Sequence, residues 1–244
     1  MIDYVIRSAG LSRTGLVRSG NEDSMFVDDA KGCWAVFDGM GGHANGALAS
    51  QEGAAGFARL DLPADFDGAM RAASEELHRG NRRIVALAEE AGGDTMGTTA
   101  AVLVLRGQHF AAIWVGDSRA YVYRRGGLFQ LSVDHTHVQE LIDEGMLSPA
   151  DAEGHPMAHV LSRALGVSEE IEVDITHDEI ESGDRFLLCS DGLTGPLEES
   201  EIRAIVATGD PASVVERLVE RTYEKGAPDN VTAVLVEVGA ARHG

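Results

Sequence analysis

Cysteine is nearly absent: the 244-residue chain has two, Cys33 and Cys189, each inside an apolar run. Sequence leaves a disulfide between them open, but two isolated core thiols fit a reducing compartment better than an oxidising one. Basic residues are also scarce, 20 Lys and Arg against 40 Asp and Glu, for a net charge of −20. Such a surface repels phosphate backbones, which argues against general nucleic-acid or anionic-membrane binding. No apolar stretch approaches the roughly 20 residues of a membrane span. The start, MIDYVIRSAGLSRTG, lacks the charged head and long apolar centre of a signal peptide. A soluble, cytoplasmic protein is expected. Repeats, low-complexity tracts and linkers are missing too, so one domain over 1–244 is the economical expectation.

What is present is ordinary for a globular chain, 44% hydrophobic and 25% charged. That length buries on the order of 70–75% of its unfolded surface. Apolar runs predict strands at 3–12, 24–28, 33–38, 98–105, 109–115, 119–124, 128–132, 171–176, 184–189 and 231–238, with the hairpin between 119–124 and 128–132 turning at Gly126-Gly127. Helical spacing predicts helices over 45–60, 66–91, 199–207 and 211–224, with Pro211 at a helix start. Part of the acid excess is assigned to solvated helix faces, as in DEIE at 178–181 and EESE at 198–201. Segment 134–168 differs, with a short helix over 137–145, a Ser148-Pro149 helix start and several histidines. It reads as an inserted, exposed flap. Grouped strands joined by hairpins point to α+β with antiparallel sheets, not βαβ alternation.

Four of the best strand runs carry an aspartate at one end: Asp38-Gly39, Gly116-Asp117, Ser190-Asp191-Gly192 and Asp229-Asn230. Asp-Gly and Asp-Asn are also turn signals, because Asp bonds its own backbone and Gly tolerates positive φ. The repetition carries the other reading, an acidic rim where oxygen ligands collect for a hard cation such as Mg²⁺ or Mn²⁺.

GMGGHA at 39–44 matches the dinucleotide fingerprint G-x-G-x-x-A. Two helices intervene before the next strand near residue 98, and Asp38 would repel a pyrophosphate, so that reading is set aside. The glycines let the backbone pass close to a metal, and the Gly39 carbonyl is a candidate ligand. Upstream, Arg18 precedes Glu22 and Asp23 by four and five residues. Guanidinium suits a phosphate held by two parallel hydrogen bonds, although a surface ion pair at a turn accounts for the same pattern.

The ordered set Arg18…Glu22-Asp23, Asp38-Gly39-Met40-Gly41-Gly42-His43, Gly97-Thr98-Thr99, Gly116-Asp117-Ser118-Arg119, Asp134-His135-Thr136, Ser190-Asp191-Gly192-Leu193 and Asp229-Asn230 resembles the PP2C-type metal-dependent protein serine/threonine phosphatases, in their compact bacterial form. The resemblance spans about residues 8–238. It implies a four-layer α-β-β-α sandwich, two central antiparallel sheets flanked by helix pairs, with two Mn²⁺ or Mg²⁺ ions at one rim. It further implies that Asp38 bridges both metals, the Gly39 carbonyl binds one, and Asp191 and Asp229 bind the other. Glu22 and Asp23 would hold metal-bound waters, Arg18 the substrate phosphate, and Asp117 with Asp191 a third ion. The implied reaction is hydrolysis of phosphoserine and phosphothreonine in proteins by a metal-bridged hydroxide. The implied partners are phosphoproteins and a bacterial Ser/Thr kinase whose output the enzyme reverses, and the chain is expected to act as a monomer.

One position departs from the family's eukaryotic pattern. Those members carry His directly after Asp-Gly, as a proposed general acid, where this chain has Met40; His43 lies three residues further on. His155 and His159 have the spacing of a zinc pair but lack the adjacent glutamate of that motif, and a polar flap is preferred. Thr98 and Thr99 are read as strand packing, and His135 and His137 as a hairpin exit and helix cap. A non-catalytic module would have lost metal aspartates, and a nuclease fits poorly with the acidic surface.

Overall fold

The computed structural model describes residues 4–152, 155–158 and 160–239, with backbone alone at His43, Pro149 and Ala150. In chain order the elements are β1 (Ile6–Arg13), β2 (Asp23–Asp28), β3 (Cys33–Met40), α1 (His43–Arg59), α2 (Phe66–Glu90), β4 (Gly97–Thr98), β5 (Ala100–Arg106), β6 (His109–Val115), β7 (Arg119–Arg124), β8 (Gly127–Gln130), α3 (His137–Asp143), α4 (Pro149–Ala152), β9 (Asp174–Glu179), β10 (Arg185–Cys189), α5 (Asp191–Thr194), α6 (Glu199–Val206), α7 (Pro211–Glu224) and β11 (Val231–Val238). One sheet runs β1-β11-β10-β7-β8 and the other β2-β3-β5-β6-β9, with β4 beside β3. The strand pairs are antiparallel.

The unbroken apolar runs are explained by strands buried on both faces. Along β3, Cys33, Ala35 and Phe37 join the core under α1 and α2, while Trp34 and Val36 join the core between the sheets. That alternation is the two-residue period of a strand. Phe110 and Phe186 meet in the inter-sheet layer with ring centroids 4.8 Å apart. On the far side Leu187 and Leu235 pack against Ile202 and Leu218 of α6 and α7. The layers are therefore α-β-β-α, as expected. Each fully buried large side chain contributes about 1.5–3 kcal/mol of transfer free energy.

Helix ends follow the capping signals. The Asp65 carboxylate accepts from Gly68 N–H at 2.7 Å and starts α2. Asp210 caps α7 ahead of Pro211, and Glu198 with Glu201 forms a capping box on α6. Among the described residues, no helix is long and apolar enough to cross a membrane.

Several sequence expectations need correction. The strand expected at 171–176 is Asp174–Glu179 instead. Ile171 and Val173 pack on the α1–α2 core without pairing, and the paired segment is a polar edge strand on β6. DEIE at 178–181 is thus the end of that strand and its exit, not a helix face. The β7–β8 hairpin turns at Arg125-Gly126, with φ of 52° and 84°, rather than at Gly126-Gly127. The run at 98–105 is split at Thr99, whose N–H donates to the Asp38 carbonyl. Residue 3 of the first expected strand lies outside the described residues.

Candidate metal centre

The strand-end aspartates come from both sheets. Asp38 is near the end of β3 and Asp117 follows β6, in one sheet; Asp191 follows β10 and Asp229 precedes β11, in the other. All four line one cleft of about 760 Å³, together with Arg18, Glu22 and Gly39. Of the eight site residues inferred from sequence, only Asp23 is not in that lining. It is buried, 8% exposed.

Register explains the pairing of Asp23 with Asp38: they are direct partners across β2 and β3. Like charges placed opposite are destabilising unless something compensates. Asp23 is held from the other sheet, where Ser190 Oγ and Thr232 Oγ1 both donate to its Oδ2, at 2.8 and 2.7 Å. Its remaining oxygen receives no hydrogen bond from either hydroxyl. Burial pushes the Asp23 carboxyl up to about 7 against those two hydrogen bonds, with Asp191 and Asp229 raising it further. Asp117 is also raised to about 7, by burial, then by Asp191 and Asp134. Burial again comes first for Asp38, followed by Asp23, Asp191, Asp117 and Asp229, and holds it well above the usual carboxylate range. The cluster is short of positive charge.

Glycines let the backbones meet. A Cβ on Gly39 would lie 2.1 Å from the Gly46 carbonyl oxygen of α1 and 2.5 Å from that of Glu22. A Cβ on Gly46 would lie 2.1 Å from Glu22 Oε2. Gly39 is therefore required by the packing of α1 as well as by any use of its carbonyl.

Among the described residues, Arg18 is the basic side chain in the cleft lining. Its Nη2 donates to Asp229 Oδ2 at 2.5 Å, and that bond is the main reason its pKa is raised. Among the described residues, no three acidic or imidazole side chains are already closed into a ligand cage. The acids share the cleft while Arg18 engages one of them.

Several supporting side chains were missed or undervalued by sequence reading, besides Ser190 and Thr232. Thr99 Oγ1 accepts from Asp38 N–H at 3.0 Å, and Thr98 Oγ1 donates to the Asp38 carbonyl at 2.9 Å. These threonines clamp Asp38 and are more than strand packing. Ser118 Oγ lies 2.7 Å from Thr99 Oγ1, linking the Asp117 loop to the same clamp. Asn230 Oδ1 accepts from Gly15 N–H at 3.3 Å and ties the Arg18 loop to the Asp229 turn. His135 is 4% exposed; its Nδ1 accepts from Gly116 N–H at 3.1 Å, and its Nε2 lies 3.2 Å from Asp174 Oδ2. Burial, then Arg163, lowers its pKa, and the imidazole holds the turn before Asp117. The cap expected at this exit is Thr136, whose Oγ1 accepts from Gln139 N–H. The side chain of His43 and the whole of His159 lie outside what is described. His155 Nδ1 accepts from Met157 N–H at 3.2 Å.

The donor set fits hard divalent cations: oxygen only, partly desolvated and mutually repelling. Cys33 opens β3 and Cys189 closes β10; both are fully buried, and burial pushes their thiols up to about 12, which disfavours the nucleophilic thiolate.

Comparison with known proteins agrees with this geometry. A family model described as protein phosphatase 2C matches residues 17–237. The chain is 40% identical, over 97% of its length, to the serine/threonine protein phosphatase PstP of Mycobacterium tuberculosis, and spans 46% of that relative. It is 35% identical to the protein phosphatase PhpP of Streptococcus pneumoniae, covering 93% of this chain and 96% of that one. A crystal structure of the PstP catalytic domain in complex with two manganese ions superposes with a TM-score of 0.86 at 37% identity, over 97% of this chain and all of that one. Since the family match runs through nearly every element of the sandwich, this chain belongs to the bacterial branch of the protein phosphatase 2C family.

Proposed function

We propose that the chain hydrolyses phosphoserine and phosphothreonine esters in proteins, with Mn²⁺ or Mg²⁺ held by Asp38, the Gly39 carbonyl, Asp191 and Asp229. The observation that carries the reading is the meeting of acids from both sheets with Arg18 in one cleft. The PstP and PhpP names and the two manganese ions of the PstP structure support the activity and the metal. The chain spans about half the length of PstP, so substrates and partners of that longer protein are not transferred wholesale.

Two bound cations supply an activated water and neutralise charge for an in-line displacement. The chain's own residues do the rest. Arg18 binds the phosphoryl oxygens and stabilises charge as it shifts toward the leaving group. Thr98 and Thr99 fix the Asp38 backbone, so its carboxylate is presented without reorganisation. Ser190 and Thr232 occupy one oxygen of Asp23 and leave the other to orient water, a role shared with Glu22. Asp117, with Asp191, serves a third, weaker ion. Segment 134–168 acts as the flap of a single domain over 1–244. It is fastened through the bridges Thr136↔Leu161 and Thr98↔Leu165 and contributes Leu161 to the cleft. The enzyme works as a cytoplasmic monomer opposite a Ser/Thr kinase.

The test is hydrolysis of p-nitrophenyl phosphate and a phosphothreonine peptide by purified protein with Mn²⁺ or Mg²⁺, beside Asp38→Asn. Failure of the wild type on both substrates, with no effect of Asp38→Asn, sinks the reading.

A further inference from the structure

Leu16 and Val17, immediately before Arg18, are the most exposed large apolar side chains among the described residues, at 65% and 75%. Their loop is not loose. Leu16 N–H donates to the Ala227 carbonyl at 2.8 Å, Gly15 N–H to Asn230 Oδ1, and the Tyr223 hydroxyl to the Thr14 carbonyl. Gly15 packs so closely that a Cβ there would lie 2.1 Å from the Asp229 carbonyl oxygen. The segment is thus pinned to the turn that carries Asp229, and it keeps two adjacent apolar side chains in water beside the phosphate-directed guanidinium. A lone exposed leucine needs no explanation, but an adjacent pair on a fixed backbone at a site mouth marks a contact surface.

The flap also brings apolar side chains to the cleft. Leu161 lines the cleft, and its neighbour Val160 is 45% exposed. Val160 is fixed too, since its carbonyl accepts from His137 N–H at 2.8 Å and its N–H donates to the Met157 carbonyl at 3.1 Å. The mouth therefore combines an acidic floor, one guanidinium and apolar lips, on a chain of net charge −20. A peptide with acidic residues beside its phosphate meets repulsion there, whereas apolar neighbours find surface to bury.

We propose that Leu16 and Val17 form a subsite for apolar side chains flanking the phosphorylated residue. The preferred substrates are then phosphopeptides with Val, Leu, Ile or Met next to phosphoserine or phosphothreonine, and without acidic neighbours. The inference rests on the phosphatase reading and names its substrate class.

The experiment compares kcat/KM, with Mn²⁺, for phosphothreonine peptides whose two flanking residues are both Val, both Ser or both Glu. It uses the wild type, the double variant Leu16→Ser/Val17→Ser and the isosteric Val17→Thr, each checked for folding by its melting curve. Wild type is expected to favour Val over Ser flanks by about tenfold, mainly through KM, with Glu flanks poorest. The Val-to-Ser ratio falls toward one in the double variant and partway in Val17→Thr. Equal kcat/KM for Val and Ser flanks in a wild type active on p-nitrophenyl phosphate overturns the subsite alone. Persistence of the full ratio in folded variants overturns it as well. A wild type inactive on every substrate overturns the phosphatase reading and the subsite together.

Discussion

Arg18 Nη2 and Asp229 Oδ2 are joined by a 2.5 Å ion pair, although the chemistry assigned to them points each at a different partner, a phosphate and a metal. Both side chains are partly open to water, so the pair itself adds little stability. A cation held by Asp229 would withdraw the acceptor and leave the guanidinium for phosphate. Arg18→Ala is therefore expected to lower kcat/KM for a phosphothreonine peptide by about 100-fold, with competitive inhibition by inorganic phosphate weakened in parallel. Steady-state kinetics with and without phosphate check both effects. An unchanged phosphate inhibition constant would count against Arg18 as the phosphate ligand.

The hydroxyl pair on Asp23 gives a second prediction. Thr232→Val removes one donor to Asp23 Oδ2 while keeping the side-chain shape, and Ser190→Ala removes the other. Outer partners of this kind tune metal sites by about 10–100-fold. Mn²⁺ affinity measured by calorimetry should fall by roughly tenfold in each variant. Thermal stability of the metal-free variants should change much less than on losing a core side chain.

Protonation gives a third. Asp117 has its pKa raised from 3.8 to about 7 in the folded chain. A raised carboxyl binds more protons folded than unfolded between those values, so its contribution to stability is present below 3.8 and is lost as pH rises toward 7. In EDTA, Asp117→Asn should therefore melt close to wild type at pH 4 and above it at pH 8. Mn²⁺ should also raise the wild-type melting temperature more at pH 8 than at pH 5, because ligation requires the ionised acids. Melting curves over that range decide it.

Backbone contact gives the last. Gly39→Ala places a methyl group against two carbonyl oxygens, Gly46 and Glu22, that belong to backbone and cannot swing aside. A destabilisation of about 2–3 kcal/mol is expected in metal-free protein by urea unfolding. Gly20→Ala, where a Cβ meets nothing within 4 Å, is the control and should be near neutral.

The layers were legible because β3, β5, β6, β10 and β11 are buried on both faces and so appear as continuous apolar runs. The edge strand β9 was misplaced because its own residues are polar, while the apolar Ile171 and Val173 just before it pack without pairing. The acids and Arg18 were readable from motif order. The hydroxyls and imidazole that hold them were not: Thr232, Ser190 and His135 acquire their partners from strand register and from segments 209, 167 and 39 residues away in the chain. No local pattern encodes a hydroxyl's distant acceptor.

Because Asp38 and Asp117 ride on one sheet and Asp191 and Asp229 on the other, a metal held among them would sit between the jaws of a caliper formed by the two sheets. The inter-sheet layer, with Trp34, Phe110 and Phe186, is the spacer that sets its opening. Repacking that layer would widen or skew the jaws. Metal affinity thereby becomes a ruler for how the two halves of the sandwich sit on each other.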